Sequence, residues 1–266
     1  MEDHERAYYE NEYFWRPDQV TPEVRERIAG TVALIPRDAA SVLDAGTGTG
    51  VLVQHLLAEP DRRRRVLACD RSFAALRQVA GARCQADVTA LPFPSRAFDI
   101  VCSLQVIEHI PLVAYRGALS ELCRVARKYV LVSVPNDEDI VARHVTCPAC
   151  QSRFNADLHM RRYDRETMRS LLEPFGFACR TPTLLGGVRR YVGVSRRPQP
   201  PPWEDGVMLC PVCGYSGERS EHAPGGPPAP SNAGIRKALK RVWPYRTRFT
   251  HMAALYERVA DEGSRC

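Results

Sequence analysis

The sequence predicts an α/β fold in which a doubly wound, mostly parallel sheet is covered by helices. Short apolar runs rich in β-branched residues alternate with helical patterns between residues 41 and 135, as expected for parallel strands that are buried on both faces. The first run leads directly into a glycine-rich loop, SVLDAGTGTG (41–50), and a helical pattern follows. A chain of 266 residues is long enough for one sizeable domain with an appendage.

The predicted elements of the first half follow one another in regular order. A first helix begins near Thr21-Pro22, because a proline just inside a threonine cap is a typical helix start. Strands are predicted at SVLDAG (41–46), RVLACD (65–70), ARCQADV (82–88), AFDIVCSL (97–104) and YVLVSVP (129–135), and helices at Val51–Ala58, Ser72–Val79 and Leu112–Ala126.

The second half is less regular. Residues 136–162 are polar and predict an insertion, and a helix is expected at Asp164–Pro174. ACRTPTLL (178–185) and VRRYVGVS (188–195) predict two strands joined in a hairpin at Gly186-Gly187. After a proline-rich linker, apolar residues at helical spacing predict a C-terminal helical extension; they are Ile235, Leu239, Val242, Trp243, Met252, Leu255, Tyr256 and Val259.

The loop after the first strand is the most informative stretch. Gly46, Gly48 and Gly50 alternate there, and glycines let a backbone turn sharply and approach a ligand closely. The N-terminus of the following helix favours polar or anionic groups. By spacing alone this loop also fits a dinucleotide-binding fingerprint. The chain carries no Tyr-x-x-x-Lys pair for hydride transfer, which ranks a nicotinamide-dependent enzyme lower.

Acidic residues stand at or just after the ends of the first three strands, at Asp44, Asp70 and Asp87. A carboxylate after the second strand can accept hydrogen bonds from both hydroxyls of a ribose. In their order and spacing, and together with the LPF-x4-FD pattern around the fourth strand, these residues resemble the class I S-adenosylmethionine (SAM) methyltransferases. The resemblance covers roughly residues 20–196.

The resemblance implies a seven-stranded sheet and a defined cofactor site. The glycine loop would hold the methionine portion of SAM, Asp70 the ribose, and Asp87 with Val88 the adenine amine. The implied cofactor-binding residues are Asp44, Gly46, Thr47, Gly48, Gly50, Asp70, Arg71, Asp87, Val88, Leu104 and Gln105.

Two histidines are the candidate catalytic residues. His109 follows the fourth strand in QVIEHI, at the sheet edge where ligands bind, and is the first candidate for a general base. His159 lies in a segment, DLHMRRYDRETMRSLLEPFGF, that resembles the family region lining the acceptor pocket. A structural role is the alternative for each. Tyr13, Phe14 and Trp15 are expected to form a lid over SAM or to pack on the first helix.

Two cysteine pairs, CPAC (147–150) and CPVC (210–213), resemble zinc-ribbon knuckles. Four thiolates close a tetrahedral site without a position for water, so we expect a structural zinc bound by Cys147, Cys150, Cys210 and Cys213. His144 and Cys179 are alternatives for one ligand. The zinc would fasten the C-terminal extension to the insertion and form a small cap near the acceptor pocket.

The predicted organisation has three parts. Residues 1–20 form a lid segment, residues 21–196 form the SAM-binding domain with its insertion at 136–162, and residues 197–266 form an extension that completes the zinc site. No apolar run reaches the ~20 residues that span a bilayer, and the N-terminus lacks the apolar core of a signal peptide. We therefore expect a cytoplasmic protein.

The acceptor is the most open question. We expect a small molecule, a specialised metabolite or sugar intermediate methylated on oxygen or nitrogen, because the chain resembles bacterial methyltransferases with a paired-CxxC insertion. RNA is the alternative acceptor, since the net charge is +6 and arginines cluster at 62–65, 161–162, 189–190 and 236–248. A SAM-fold binding protein without turnover is the third interpretation, and the intact glycine loop speaks against it.

Overall fold

The structure, a computed structural model, describes residues 2–15, 20–59, 64–191, 208–216 and 245–260. The strands are β1 (Ser41–Ala45), β2 (Arg65–Asp70), β3 (Ala82–Gln85), β4 (Phe98–Leu104), β5 (Ala126–Pro135), β6 (His144–Thr146), β7 (Arg153–Asn155), β8 (Phe177–Cys179), β9 (Thr183–Tyr191) and β10 (Tyr245–Arg258). The α-helices are α1 (Glu2–Tyr9), α2 (Pro22–Val32), α3 (Val51–Leu57), α4 (Phe73–Leu76), α5 (Leu112–Val125) and α6 (Arg165–Ser170).

Eight of these strands form one central sheet. Its order is β3-β2-β1-β4-β5-β10-β8, and β9 pairs with the N-terminal part of β10. The first five strands are parallel, whereas β10 runs antiparallel to β5, β8 and β9. The mostly parallel α/β sheet is therefore confirmed, with one strand more than the resemblance implied.

Two hydrophobic cores cover the two faces of this sheet. On one face, α5 and α6 contribute Leu122 and Met168, which pack with buried residues of β5 and β10. On the other face, α2 and α3 contribute Ile28 and Leu56, which pack against β1 and β4. Thr21 caps α2 as predicted, and its side chain accepts a hydrogen bond from the amide of Val24. The sheet is thus doubly wound.

The predicted C-terminal helix is wrong for residues 245–258, which form β10. This strand lies inside the sheet, and all residues from Met252 to Tyr256 are buried. A strand covered on both faces is a continuous apolar run, and such a run also contains helical spacings. Residues 245–258 therefore belong to the central sheet and not to a separate extension after residue 196. The remaining predicted helix residues, Ile235, Leu239, Val242 and Trp243, lie outside the described residues.

The predicted hairpin at Gly186-Gly187 is also wrong. The strand β9 runs through both glycines and pairs with β10 along its length. Gly186 has a φ of 64°, which kinks the strand without reversing it. The second cysteine pair consequently lies in the connection between β9 and β10, not beyond the last strand. The predicted strand residues 192–195 lie outside the described residues.

The insertion after β5 folds into a small two-stranded sheet of its own, formed by β6 and β7. The first cysteine pair lies in the turn between these two strands. Among the described helices, none is long and apolar enough to cross a membrane.

Candidate active site at the carboxyl edge of the sheet

The glycine loop joins β1 to α3 and adopts a conformation that only glycines accept easily. Gly46, Gly48 and Gly50 have φ values of 82°, 53° and 74°. The amide of Gly46 donates to the carbonyl of Cys69 at 2.8 Å, which ties the loop to β2. A β-carbon on Gly46 would lie only 2.3 Å from Cγ2 of Val106. The loop therefore approaches the segment after β4 as closely as its backbone allows.

Two buried carboxylates support this loop. Asp44 accepts a hydrogen bond from the hydroxyl of Thr47 at 2.7 Å, and burial raises the pKa of Asp44 to about 7. Asp70 accepts one from the amide of Gly48 at 2.9 Å and one from the amide of Ser72 at 2.8 Å. Burial also raises the pKa of Asp70. Asp70 thus connects the glycine loop to the start of α4, where Ser72 is the cap.

The third predicted acid lies at a more exposed position. Asp87 accepts hydrogen bonds from the amide and the hydroxyl of Thr89, at 2.8 and 2.7 Å. These bonds hold Asp87 in a turn two residues beyond β3, while the neighbouring Val88 packs against the core. The contact of both residues with an adenine amine stays a prediction.

Leu104 is the last residue of β4, and Gln105 follows it directly. Gln105 has a φ of 60°, and its amide donates to the carbonyl of Ser133 at 2.8 Å. This bond ends the pairing of β4 with β5 and turns the chain toward Val106. The contact of Leu104 and Gln105 with the cofactor stays a prediction.

The N-terminal segment packs over the glycine loop. The carbonyl of Tyr9 accepts hydrogen bonds from Nε1 of Trp15 at 2.6 Å and from the hydroxyl of Ser72 at 2.8 Å. The ring of Trp15 lies 3.1 Å from the position of a β-carbon on Gly48. The guanidinium of Arg71 lies 4.5 Å from the centre of the Tyr9 ring. The predicted lid residue Trp15 is therefore in contact with the loop; the side chains of Tyr13 and Phe14 lie outside the described residues.

Glu10 provides a second contact between the N-terminal segment and the start of α4, which the sequence did not predict. Its carboxylate accepts hydrogen bonds from the amides of Phe73 and Ala74, both at 3.0 Å. These amides open α4, and a carboxylate at a helix N-terminus is stabilised by the helix dipole. No local signal distinguishes Glu10 from the other acidic residues of the segment, because the partner lies more than sixty residues away.

A short 3₁₀ turn after β4, Ile107–His109, carries two buried polar groups. Glu108 is 0% exposed, and neither oxygen of its carboxylate has a hydrogen-bond partner among the described residues. Burial raises the pKa of Glu108 to about 8. The Nδ1 atom of His109 is equally buried and has no partner in the described part of the chain, and burial lowers the pKa of this histidine to about 3. His109 thus presents an unprotonated ring nitrogen.

The second candidate histidine approaches from the insertion. The rings of His159 and His109 lie 4.7 Å apart. Nδ1 of His159 lies 2.5 Å from Oε2 of Glu138, and Asp157 nearby binds the guanidinium of Arg143 through two bonds of 2.7 Å. The structure therefore brings together two histidines that are fifty residues apart in the sequence. The role of Glu138 is not visible in the sequence, because its pairing with His159 depends on the fold of the insertion.

The four predicted cysteine ligands form one cluster. Their Sγ atoms all lie within 4.8 Å of one another, with 3.7 Å between Cys147 and Cys213 and 3.8 Å between Cys150 and Cys210. The hydroxyl of Ser152 lowers the pKa of Cys150, whereas burial and the neighbouring thiols raise the pKa of Cys213. Metals bind such thiols in their thiolate form.

The two cysteine loops have the same backbone geometry. In the first, the amide of Cys147 donates to Ser152, and the amide of Gln151 donates to Cys147. In the second, the amide of Cys210 donates to Tyr215, and the amide of Gly214 donates to Cys210. Gln151 and Gly214 occupy equivalent positions and both have positive φ values, 60° and 73°. The residues present therefore fit a tetrahedral metal ion held by two knuckles.

Together, the sheet order, the loop between β1 and α3 and the acid after β2 define the class I fold of SAM-dependent methyltransferases. The chain belongs to the methyltransferase-domain family, whose profile matches residues 15–181. A comparison with curated proteins gave no match.

Solved structures show the same fold. One is a 1,6-didemethyltoxoflavin-N1-methyltransferase from Burkholderia thailandensis, solved with bound 1,6-didemethyltoxoflavin and S-adenosylhomocysteine (SAH). It aligns with a TM-score of 0.56 and 17% sequence identity, and the alignment covers 97% of this chain and 89% of the Burkholderia chain. A Haloferax volcanii protein, named as a methyltransferase and solved with the Trm112 methyltransferase activator, has a TM-score of 0.58 at 13% identity over 96% of this chain and 97% of its own. An Archaeoglobus fulgidus SAM-dependent methyltransferase has a TM-score of 0.51 at 14% identity over 88% and 93%.

Proposed function

We propose that this protein transfers the methyl group of SAM to an oxygen or nitrogen atom of a small molecule, a specialised metabolite or a sugar intermediate. The observation that carries the proposal is the pairing of two sites at one sheet edge. Asp70 holds the glycine loop on one side, and the rings of His109 and His159 meet 4.7 Å apart on the other. A cofactor and an acceptor would therefore meet between the ends of β1 and β4.

Methyl transfer from SAM mainly requires that the protein align the acceptor with the methyl group. A lone pair of the acceptor forms a bond to the methyl carbon while the carbon–sulfur bond breaks, and its electron pair returns to sulfur to give SAH. The sulfonium supplies the activation, so the protein mainly orients the reactants and excludes water. We assign the methionine portion to the loop at Gly46 to Gly50, the ribose to Asp70 and the adenine to Asp87 and Val88. Trp15 and its segment would cover the cofactor.

We assign His109 and His159 to the acceptor side. The carboxylate of Glu138 favours the tautomer of His159 that carries its proton on Nδ1, which leaves Nε2 with a lone pair. Nδ1 of His109 has no hydrogen-bond partner among the described residues, and we assign the lone pair of that ring to it. Two ring nitrogens with lone pairs suit either a polar acceptor or a cation.

Small molecules are favoured over RNA because the arginine pair at 161–162, which lies in the described part of the chain, has internal partners. Arg161 donates to the carbonyl of Ile107 at 2.8 Å and stacks on the ring of Tyr115 at 3.7 Å. Arg162 pairs with Asp137. RNA binding requires lysine or arginine side chains that are available to contact phosphates along a surface, and these two side chains already have partners within the protein.

We further propose that Cys147, Cys150, Cys210 and Cys213 bind a structural zinc ion. It would join the insertion to the connection between β9 and β10 and leave no open position for chemistry. Metal content measured on purified protein tests this: Cys210→Ser should lose the bound zinc, whereas Cys179→Ser, outside the cluster, should retain it. Equal zinc content in both variants would contradict the assignment.

Methyl transfer itself is tested with labelled SAM and an extract of the source cells, fractionated into small molecules, protein and RNA. We expect label in the small-molecule fraction. Label in RNA, with strong weakening by salt, would replace the small-molecule assignment. SAH binding without label in any fraction would favour a binding protein without turnover.

A further inference from the structure

A group of potential metal ligands lies in the acceptor region, apart from the four cysteines. Glu108, His109 and His159 each place one ligand atom within 4.8 Å of the others. A neighbouring group of Glu138, Asp157 and His159 meets the same limit. The two groups share His159, so the partners of the other residues decide which group is available to a cation.

The hydrogen bonds favour the first group. Asp157 is held by two bonds to the guanidinium of Arg143, and Glu138 is bonded to Nδ1 of His159. By contrast, both carboxylate oxygens of Glu108 and Nδ1 of His109 are buried and have no partner within the described ranges. These three atoms therefore have no hydrogen-bond donor among the described residues.

The nearby arginines do not satisfy Glu108. Nη1 of Arg27 lies 2.6 Å from Nε2 of His251. Nη1 of Arg161 donates to the carbonyl of Ile107 at 2.8 Å, and its guanidinium stacks on Tyr115. A fully buried carboxyl group without a partner among the described residues is rare in folded proteins, because its ionised form is costly to bury, and a bound cation would offset that cost.

We propose that Glu108, His109 and His159 bind one divalent first-row metal ion on the acceptor side of the site. Two imidazoles and one carboxylate suit Mn²⁺, Fe²⁺, Co²⁺ or Zn²⁺ and leave coordination positions open. Glu138 would act behind the metal by orienting the ring of His159, as carboxylates commonly do for ligating histidines.

The position of this site suggests which acceptors it would select. Val106 contacts Gly46 of the cofactor loop and lies two residues before Glu108. The open positions of the cation would therefore be near the place where the methyl group arrives. Resting on the proposed function, we infer that the acceptor binds the cation through an oxygen donor, such as a hydroxyl or a carboxylate.

Mn²⁺ is a suitable probe because manganese prefers oxygen and nitrogen ligands and leaves the thiolates of the cysteine cluster to zinc. The protein for this test should carry zinc in the cysteine cluster only, at one zinc per chain, after more weakly bound zinc has been removed with a chelator. Electron paramagnetic resonance of this protein titrated with Mn²⁺ should show one bound Mn²⁺ per chain, without SAM or acceptor. Glu108→Gln and His159→Gln should each weaken binding by at least about tenfold, and Glu138→Gln by about 10–100-fold. The exposed residues Glu26 and His55 provide matched controls as Glu26→Gln and His55→Gln, which should bind Mn²⁺ like the unmodified protein.

Two results would overturn the proposal. One is the absence of Mn²⁺ and Co²⁺ binding to the unmodified protein, which needs no variant to be folded. The other is unchanged Mn²⁺ affinity in Glu108→Gln and His159→Gln. SAH binding, measured on the same samples, verifies the fold of each variant. It also separates the two claims: failure to bind SAH would refute the methyltransferase function, whereas intact SAH binding without a metal would refute only the metal site.

Discussion

Replacing Gly46 by alanine tests whether the close approach of the loop to Val106 builds the site. The new β-carbon would lie 2.3 Å from Cγ2 and 3.1 Å from Cγ1 of Val106, at a φ of 82°. An alanine in this backbone region costs about 1–2 kcal/mol, and overpacking adds about 1–3 kcal/mol. We expect the free energy of unfolding to fall by about 2–5 kcal/mol. SAH affinity should fall at least tenfold, equivalent to about 1.4 kcal/mol, because Val106 and the loop must move apart.

Gly176→Ala is the matched control. Gly176 has a φ of 77°, and apart from its two chain neighbours no atom of the described residues lies within 4 Å of its added β-carbon. Urea unfolding should therefore show only the conformational cost of about 1–2 kcal/mol, with SAH affinity unchanged in calorimetry. Adding Val106→Ala to Gly46→Ala should recover part of the SAH affinity, since it removes the clash but not the strain. Equal stability loss in Gly46→Ala and Gly176→Ala, with equal SAH binding, would refute the reasoning.

Three further changes test other parts of the molecule. In the zinc-loaded protein, Cys210→Ser should lower the free energy of unfolding by about 2–4 kcal/mol in urea melts, because the long loop between the knuckles is no longer cross-linked; an unchanged midpoint would exclude a staple. Burial and Arg27 lower the pKa of His251 to about 3, so this histidine stays neutral in the folded protein. In the unfolded chain it takes up a proton below about pH 6.5. This difference in protonation lowers the free energy of unfolding by about 2 kcal/mol near pH 5. His251→Gln should therefore lose about that much less stability than the unmodified protein between about pH 7 and pH 5, and parallel pH profiles would contradict this. Trp15→Ala should raise the SAH dissociation rate several-fold in stopped-flow measurements, because the ring covers the loop at Gly48; an unchanged rate would argue against a lid.

The parts of the fold that depend on short sequence signals are the parts that the sequence predicts. Thr21 caps α2 because proline follows it, and the strand, glycine loop and helix at 41–57 form a local unit. Asp70 could be placed at the end of β2 for the same reason. Its bond to the amide of Gly48 follows from the parallel pairing of β1 with β2.

The errors concern contacts between distant segments. A buried central strand and an apolar helix share the pattern at Met252 to Tyr256, and only pairing with β5 and β8 selects the strand. Likewise, Glu138 meets His159 and Tyr9 meets Ser72 only after the insertion and the N-terminal segment have packed. Glu108 is visible in the sequence beside His109, but only the structure shows that its carboxyl group has no partner in the described part of the chain.

Calorimetric titration of SAH into the purified protein tests the central claim most directly. We predict one bound SAH per chain. We also predict at least tenfold weaker binding to Asp70→Asn, which loses the carboxylate assigned to the ribose, and unchanged binding to Asp139→Asn in the exposed insertion. No SAH binding by the unmodified protein, or equal binding by Asp70→Asn, would contradict the assignment of the loop and of Asp70 as the cofactor site.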